Sequence, residues 1–407
     1  MSQLSAVQCD QVLKSLRAGV VPADRLDLIK VGREGELETL DKDILHIAKG
    51  GSCVRFVTGN YGSGKTFIGE LTRQHGIKQG LVVGTATLSP DKRLQAKTGE
   101  TRNLYSALVR SFSTKARPNG SALINIVERF ILTNLREAHI DNVPPETHIA
   151  QRLKDFEELA GGFDFITVIQ RYCHALEQQD DILKSTALRW LRGEFTNLTD
   201  AKAALGVRSI IDYRNFFSGL KMLCQFVRMA GYPGLLICLD EMVALHELSH
   251  KQTRINNFNE ILNIVNDCLQ GQVHGMGFVF LGTPEFVYDE KKGLYSMPAL
   301  KSRLAFNRLA QAGLIDVSGP VIELQPLQET EMDELLHKLR HLQAYGEAKN
   351  YLIDDMGLWQ FMLQCRTIYG AQYYLNPRLA IKTLLDLLAI LQQNPNAKVA
   401  ELISEIS

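Results

Sequence analysis

The sequence predicts an α/β fold with a parallel sheet, and three observations carry that expectation. Residues 53–58 (CVRFVT) form a short β-rich run that passes through a Gly-rich turn into a helical pattern ending near Gln79. Residues 81–87 (LVVGTAT) are a second buried-strand candidate, closed by Ser89-Pro90. Strand, turn, helix, strand is the signature of a parallel unit, because parallel neighbours need a crossover between them. Finally, apolar runs recur at 234–239, 278–281 and 321–324 with helical texture around them, which extends the sheet.

Taken in order, residues 1–50 read as short helices punctuated by Val20-Val21-Pro22 and Val31-Gly32-Arg33-Glu34. The α/β core opens over 51–90. About 145 residues of helical texture then precede the third strand, with apolar residues three and four apart: Leu104, Leu108 and Phe112, then Ile124, Val127 and Ile131. A crossover needs little more than one helix, so 91–230 reads as a helical insertion large enough to form a subdomain. Residues 231–325 complete the core, and 326–407 read as a C-terminal helical domain. No internal repeat, low-complexity tract or flexible linker interrupts this order.

Of the 407 residues, 45% are hydrophobic and 22% charged, which supports a sizeable core and excludes wholesale disorder. Lys and Arg number 45 against 45 Asp and Glu, so no global field draws nucleic acid and such binding needs a local patch. There is no run of eighteen apolar residues, and the first residues lack a basic-then-apolar signal pattern. Membrane spanning and secretion are therefore not expected. Seven scattered cysteines, odd in number and without a CxxC pair, fit a reducing cytoplasm.

The chemistry is carried by Gly59-Asn60-Tyr61-Gly62-Ser63-Gly64-Lys65-Thr66, which matches the phosphate-binding pattern GxxxxGK[ST]. Glycines let the backbone curl so that successive N–H groups face phosphate oxygens, and the following helix presents its positive end to the same anion. Lys65 is expected to reach the β- and γ-phosphates of ATP, and Thr66 to place its hydroxyl on Mg²⁺. The context is the one the mechanism requires, a β-rich run before and a helix after. A second feature narrows the activity. The apolar strand ending Leu239-Asp240-Glu241 sets two carboxylates side by side, Asp240 for Mg²⁺ and Glu241 for the attacking water. Phosphoryl transfer to a metabolite does not need the second carboxylate, so hydrolysis to ADP and phosphate is favoured.

These pieces, in this order, resemble the AAA+ ATPases of the Orc/Cdc6-like initiator type over roughly 30–90 and 230–390. The resemblance implies a P-loop AAA+ parallel-sheet core with a C-terminal α-helical lid. It implies that Gly32 and Arg33 belong to an adenine-side box, and that residues 322–327, followed by Glu329 and Glu331, enter the lid. Thr283, at the end of the 278–281 strand, takes the place of the first sensor. Arg303 stands where a finger reaching a neighbouring subunit's γ-phosphate is found, with Arg308 as the alternative. Arg378, in Asn376-Pro377-Arg378-Leu379-Ala380, takes the place of a second sensor, with Pro377 in the first turn of a helix. Only 29 residues follow Arg378, too few for the winged-helix domain with which initiators grip DNA. More narrowly, 16–22 (LRAGVVP), Val31-Gly32-Arg33, 57–66 and Thr87-Leu88-Ser89-Pro90 resemble the ATP-binding proteins of bacterial BREX phage-defence islands. That resemblance implies a nucleotide-dependent loader or remodeller, probing other defence proteins or its own copies as partners. The rival is a nucleotide-locked switch with little turnover.

Two further features compete for attention. His246-Glu247-Leu248-Ser249-His250 is a literal HExxH, which on one helix would set two imidazoles on a face around Zn²⁺, as in a peptidase. It starts six residues after Asp240 with no third ligand signposted, so solvated residues on an exposed helix are the expectation and no metal site is assigned. Residues 92–117 carry Lys92, Arg93, Lys97, Arg102, Arg110, Lys115 and Arg117, with Asp91 and Glu100 as the neighbouring acids. DNA is the candidate ligand of this stretch, since an insertion after the second strand touches DNA in the resembling initiators. A solvated helix face is the preferred alternative, no aromatic interleaving being present.

Overall fold

The computed structural model describes residues 5–159, 161–305 and 318–406. Five strands fall at the five apolar runs: β1 (Ser52–Thr58), β2 (Val82–Thr87), β3 (Leu235–Asp240), β4 (Met276–Gly282) and β5 (Val321–Glu323). They form one sheet in the order β2-β3-β4-β1-β5. β2 and β4 both pair with β3 in parallel, in a register that sets Thr87 opposite Asp240 and Leu239 opposite Phe280. At the other edge Phe56 N donates to Pro320 O and Leu324 N to Thr58 O, the rising indices of a parallel ladder. The fold is thus mixed α/β with a parallel five-stranded sheet.

Near-continuous apolar runs suit such a sheet because its inner strands are covered on both faces. β4 is buried throughout, and β3 is buried up to Asp240. Phe56 stacks on Phe280 with ring centroids 4.9 Å apart, and Phe280 on Phe278 at 5.9 Å.

By internal contact the chain divides into two units, Met1–Leu37, Val57–Leu71 and Ile322–Ser407 in the first, Glu38–Phe56 and Thr72–Val321 in the second. The first unit holds α1 (Ala6–Arg17) and the start of α2 (Glu34–Ala48) and of α3 (Lys65–Lys78). Between β2 and β3, in the second unit, run α4 (Glu100–Ser111), α5 (Leu123–Asp141), α6 (Pro145–Arg152), α7 (Gly162–Glu177), α8 (Asp181–Leu191), α9 (Leu198–Leu205) and α10 (Phe216–Met229). After β3 come α11 (Val243–His246) and α12 (Lys251–Leu269), and after β4 α13 (Pro284–Tyr288) and α14 (Pro298–Leu304). The remaining helices belong to the first unit: α15 (Glu329–Gln343), α16 (Asp355–Tyr369), α17 (Gln372–Leu375), α18 (Pro377–Gln393) and α19 (Val399–Ser404).

Within the first unit α1, α15 and α18 pack on one another. The sequence spacing explains why: α18 buries Ala380, Leu384, Leu387, Leu388 and Leu391, a stripe three to four residues apart on one face. α15 starts with a capping box in which Gln328 N donates to Glu331 Oε2 at 2.7 Å. Within the second unit the later half of α3 lies close on the sheet, because Gly76 has no side chain to hold it off. A Cβ there would sit 3.0 Å from Val83 Cγ2 and 3.1 Å from Leu236 Cδ2.

Candidate functional site

The phosphate loop lies in the first unit, where β1 ends and α3 begins at Lys65. Gly62 and Gly64 have φ of +78° and +97°, left-handed conformations that glycine adopts without penalty. Lys65 is only 8% exposed, and its Nζ donates to the carbonyls of Gly59 and Asn60, each at 2.8 Å. The ammonium is thereby fixed over the loop, 5.4 Å from the centroid of the Tyr61 ring. Ser63 N closes the turn on Asn60 O at 3.2 Å.

Two features fit the loop to a polyphosphate. The hydroxyl of Ser63 is buried, and among the described residues it has no hydrogen-bond partner; the same holds for Thr58. Over Gly64 there is room, since an added Cβ would meet only Phe67 Cβ, at 4.0 Å. An orphaned donor beside a cradle at a helix N-terminus suits an anion with oxygen acceptors. Thr66 is exposed in the first turn of α3.

Arg33 comes to this loop from the start of the chain. Its φ of +68° is rare outside glycine, and its guanidinium spreads over three acceptors: Gln325 O at 2.5 Å, Ser63 O at 3.2 Å and Glu36 Oε1 at 3.3 Å. Gly32 beside it, at φ +56°, leaves space for a carboxylate, because a Cβ would lie 2.5 Å from Glu331 Oε1. Arg378 is exposed and donates through Nη2 to Gly19 O, so its guanidinium is held by the N-terminal segment. The residue of the same unit that does reach the loop is Asn376, whose carboxamide lies against Gly62. In the sequence Asn376 stands only ahead of Pro377 and Arg378, with no role of its own. A polar residue preceding an N1 proline was the available signal, and it normally indicates a cap.

In the second unit Asp240 and Glu241 stand at the carboxyl end of β3, and Thr283 follows the end of the adjacent β4. Met242 N donates to Leu281 O at 3.0 Å, which ties the two strand ends together. The carboxyl ends of parallel strands are where open α/β sheets bind ligands. Asp240 Oδ1 accepts from Glu241 N at 2.7 Å. Glu241 has φ +55°, an unfavourable conformation for a residue with a Cβ, and such strain concentrates at functional positions. Thr283 is 3% exposed, and among the described residues its Oγ1 has no hydrogen-bond partner. It does not cap α13 either. A buried hydroxyl without a partner is costly, roughly 1–3 kcal/mol, and invites a polar ligand. Arg303 Nη1 donates to Ala299 O of its own helix at 2.9 Å. Arg308 lies outside the described residues.

The HExxH stretch does not form the single exposed helix expected of it. α11 ends at His246 and α12 begins at Lys251, so the helical face needed for two imidazoles is interrupted. One tertiary and one local contact accompany the break. His246 Nε2 pairs with Asp289 Oδ2 at 3.0 Å, and the buried Arg254 takes Leu248 O at 2.6 Å. Among the described residues no group of three His, Cys, Asp or Glu is arranged to hold a metal. The His246 contact, followed by the amides of Lys291 and Lys292, pulls the Asp289 carboxyl down from its ordinary 3.8 to about 2. A lowered folded-state value means stability that is present above the unfolded value and lost as pH falls through about 2. The melting-temperature gap between wild type and Asp289→Asn should therefore be small, the carboxylate being about a third exposed, and should close as pH falls from 3.8 to about 2. A scan of both proteins by fluorimetry checks it; a gap that stays open through that range contradicts the pairing.

Of the basic side chains in 92–117, Arg93 pairs with Glu100 at 2.7 Å and Arg110 with Glu194 at 3.0 Å. Arg117 Nε donates to Asn125 Oδ1 at 3.2 Å, while Lys97 and Lys115 are exposed. Six of the seven cysteines are buried and none is paired. Among the described residues no helix is long and apolar enough to cross a membrane.

Comparison with known families gives one finding. The family model described as BREX system ATP-binding protein BrxC/D matches residues 4–407. No curated protein matches the chain significantly.

Proposed function

The chain belongs to the family of BREX system ATP-binding proteins BrxC/D, and from that premise we propose that it binds Mg·ATP at residues 59–66 and hydrolyses it slowly, using the nucleotide state to load or remodel a partner in phage defence. The observation that carries the nucleotide assignment is the Lys65 ammonium, buried and held by the Gly59 and Asn60 carbonyls of a turn that passes through two left-handed glycines, Gly62 and Gly64. A cation fixed at that point faces a polyphosphate without further ordering cost. In this reading the fold is a P-loop AAA+ core, with 91–230 a helical insertion and 326–407 a lid. The order β2-β3-β4-β1-β5 supports it, since the phosphate loop follows a strand inside the sheet.

Asp240 and Glu241 are assigned to the same nucleotide on the pairing of the two sequence motifs. The oxygens of Thr66 and Asp240 are the donor set for Mg²⁺, a hard cation that prefers such ligands. Glu241 takes the proton of the attacking water, Thr283 orients that water, and Gly32 and Arg33 border the adenine side. Arg378 is the second sensor. The buried free cysteines favour a reducing cytoplasmic setting. DNA is assigned to 92–117 only as a stimulating ligand to be tested.

The direct test is an ATP titration followed by a phosphate-release assay, each with and without Mg²⁺, DNA and partner proteins. Saturable binding with slow, magnesium-dependent release is expected. Binding without any release would favour the nucleotide-locked switch, and absence of binding would remove the reading altogether. Arg303 is assigned to a neighbouring subunit's site. Its rate contribution should appear as a rise in hydrolysis per subunit with protein concentration, which Arg303→Ala flattens severalfold while ATP binding stays intact. Concentration-independent activity, unaltered by the substitution, would exclude the finger.

A further inference from the structure

Asn376 stands at the N-cap of α18, where an Asn side chain ordinarily accepts an amide of the first turn. Among the described residues other caps do so: Asp180 accepts from Leu183 N, Asn197 from Asp200 N and Asp354 from Gly357 N. Asn376 makes no such bond. Its carboxamide turns instead onto the phosphate loop, so close that a Cβ on Gly62 would lie 1.7 Å from Oδ1 and 2.4 Å from Cγ. Oδ1 is buried there, and among the described residues it has no hydrogen-bond partner. A side chain has thus left a favourable cap for a place where its acceptor is unsatisfied.

We infer that Asn376 is a phosphate-binding residue of the loop, donating Nδ2 to a nucleoside polyphosphate held by residues 59–66. This rests on the nucleotide reading above and adds to it a contact from the lid. The chemistry is that of the carboxamide. A phosphate offers only acceptors, and a half-turn about χ2 exchanges Oδ1 for the donor Nδ2 at the same place. An unfilled loop leaves the amide with nothing to accept from, and a filled one gives it an anion to donate to. Gly62 is then required twice, for its φ of +78° and for the room it leaves the amide.

The test is ATP titration, with magnesium, of the full chain carrying Asn376→Ala, Asn376→Asp or Lys65→Ala, alongside melting of each protein without nucleotide. Asn376→Ala removes one donor to a charged acceptor and should weaken ATP about tenfold. Asn376→Asp keeps the shape but replaces the donor by a negative charge, and should weaken ATP about a hundredfold. Nucleotide-free melting should match wild type in both. Wild-type affinity in Asn376→Asp would mean that only shape matters and would overturn the inference, as would wild-type affinity in Asn376→Ala. Loss of affinity together with lowered nucleotide-free melting in both variants also overturns it, the contact then being architectural. Lys65→Ala keeps the two readings apart: if it loses ATP while the Asn376 variants do not, the loop assignment stands and the inference falls. If Lys65→Ala also binds normally, both fall.

Discussion

Replacing Lys65 by alanine is expected to abolish measurable ATP binding, with affinity lowered at least a hundredfold. Hydrogen bonds to charged groups contribute about 1.5–3 kcal/mol each, and the ammonium is assigned two phosphates, so the loss of both exceeds two decades. The side chain is already immobilised by Gly59 O and Asn60 O, which means little of that energy is spent on ordering it. Lys65→Arg should not rescue, because a planar fork does not fit the buried position of a compact ammonium. Since the substitution also leaves two carbonyls without their donor, nucleotide-free melting must be read in parallel. A fluorescent ATP analogue that binds Lys65→Ala as it binds the wild type would falsify the assignment of this loop.

Glu241→Gln is expected to retain ATP affinity while hydrolysis falls at least tenfold, towards the ~10²–10⁴ that a positioned general base contributes. The amide has the size of the carboxylate but takes no proton from water. The left-handed backbone at this residue makes the comparison a clean one, because Gln bears the same conformational cost at φ +55° as Glu. A kcat effect without a change in binding is the signature of an interaction made at the transition state. An unchanged steady-state rate would show that another group activates the water.

The strands and the phosphate loop could be read from the sequence because each depends on local pattern. β3 and β4 are buried on both faces, so their apolar runs are unbroken, and the loop needs Gly62, Gly64 and Lys65 at fixed spacing. What escaped the sequence depends on contacts between distant residues. Asn376 stands in the sequence only as the residue before Pro377 until Gly62 is seen beneath it, and the contact of Arg378 with Gly19 O joins residues far apart in the chain. The HExxH stretch has no proline or glycine to stop a helix. Its break coincides with a tertiary contact, His246 with Asp289, and a local one, Arg254 with Leu248 O, which no residue type in the stretch announces. Arg33 shows the converse: Val31-Gly32-Arg33 stands out in the sequence, but the hold of Arg33 on Ser63 O and Gln325 O required the folded chain.

The first unit is assembled from three stretches of chain, the second and third separated by about 250 residues. That arrangement has a consequence for biogenesis. During synthesis the segment 57–71 leaves the ribosome early, yet α15 and α18, on which its unit is built, emerge only after the whole of the second unit. Contacts so remote in sequence form late, since closing a long loop is slow compared with local helix formation. A nascent chain stalled before Glu329 therefore carries Lys65 without α15 and α18, the helices on which α1 of the same unit packs.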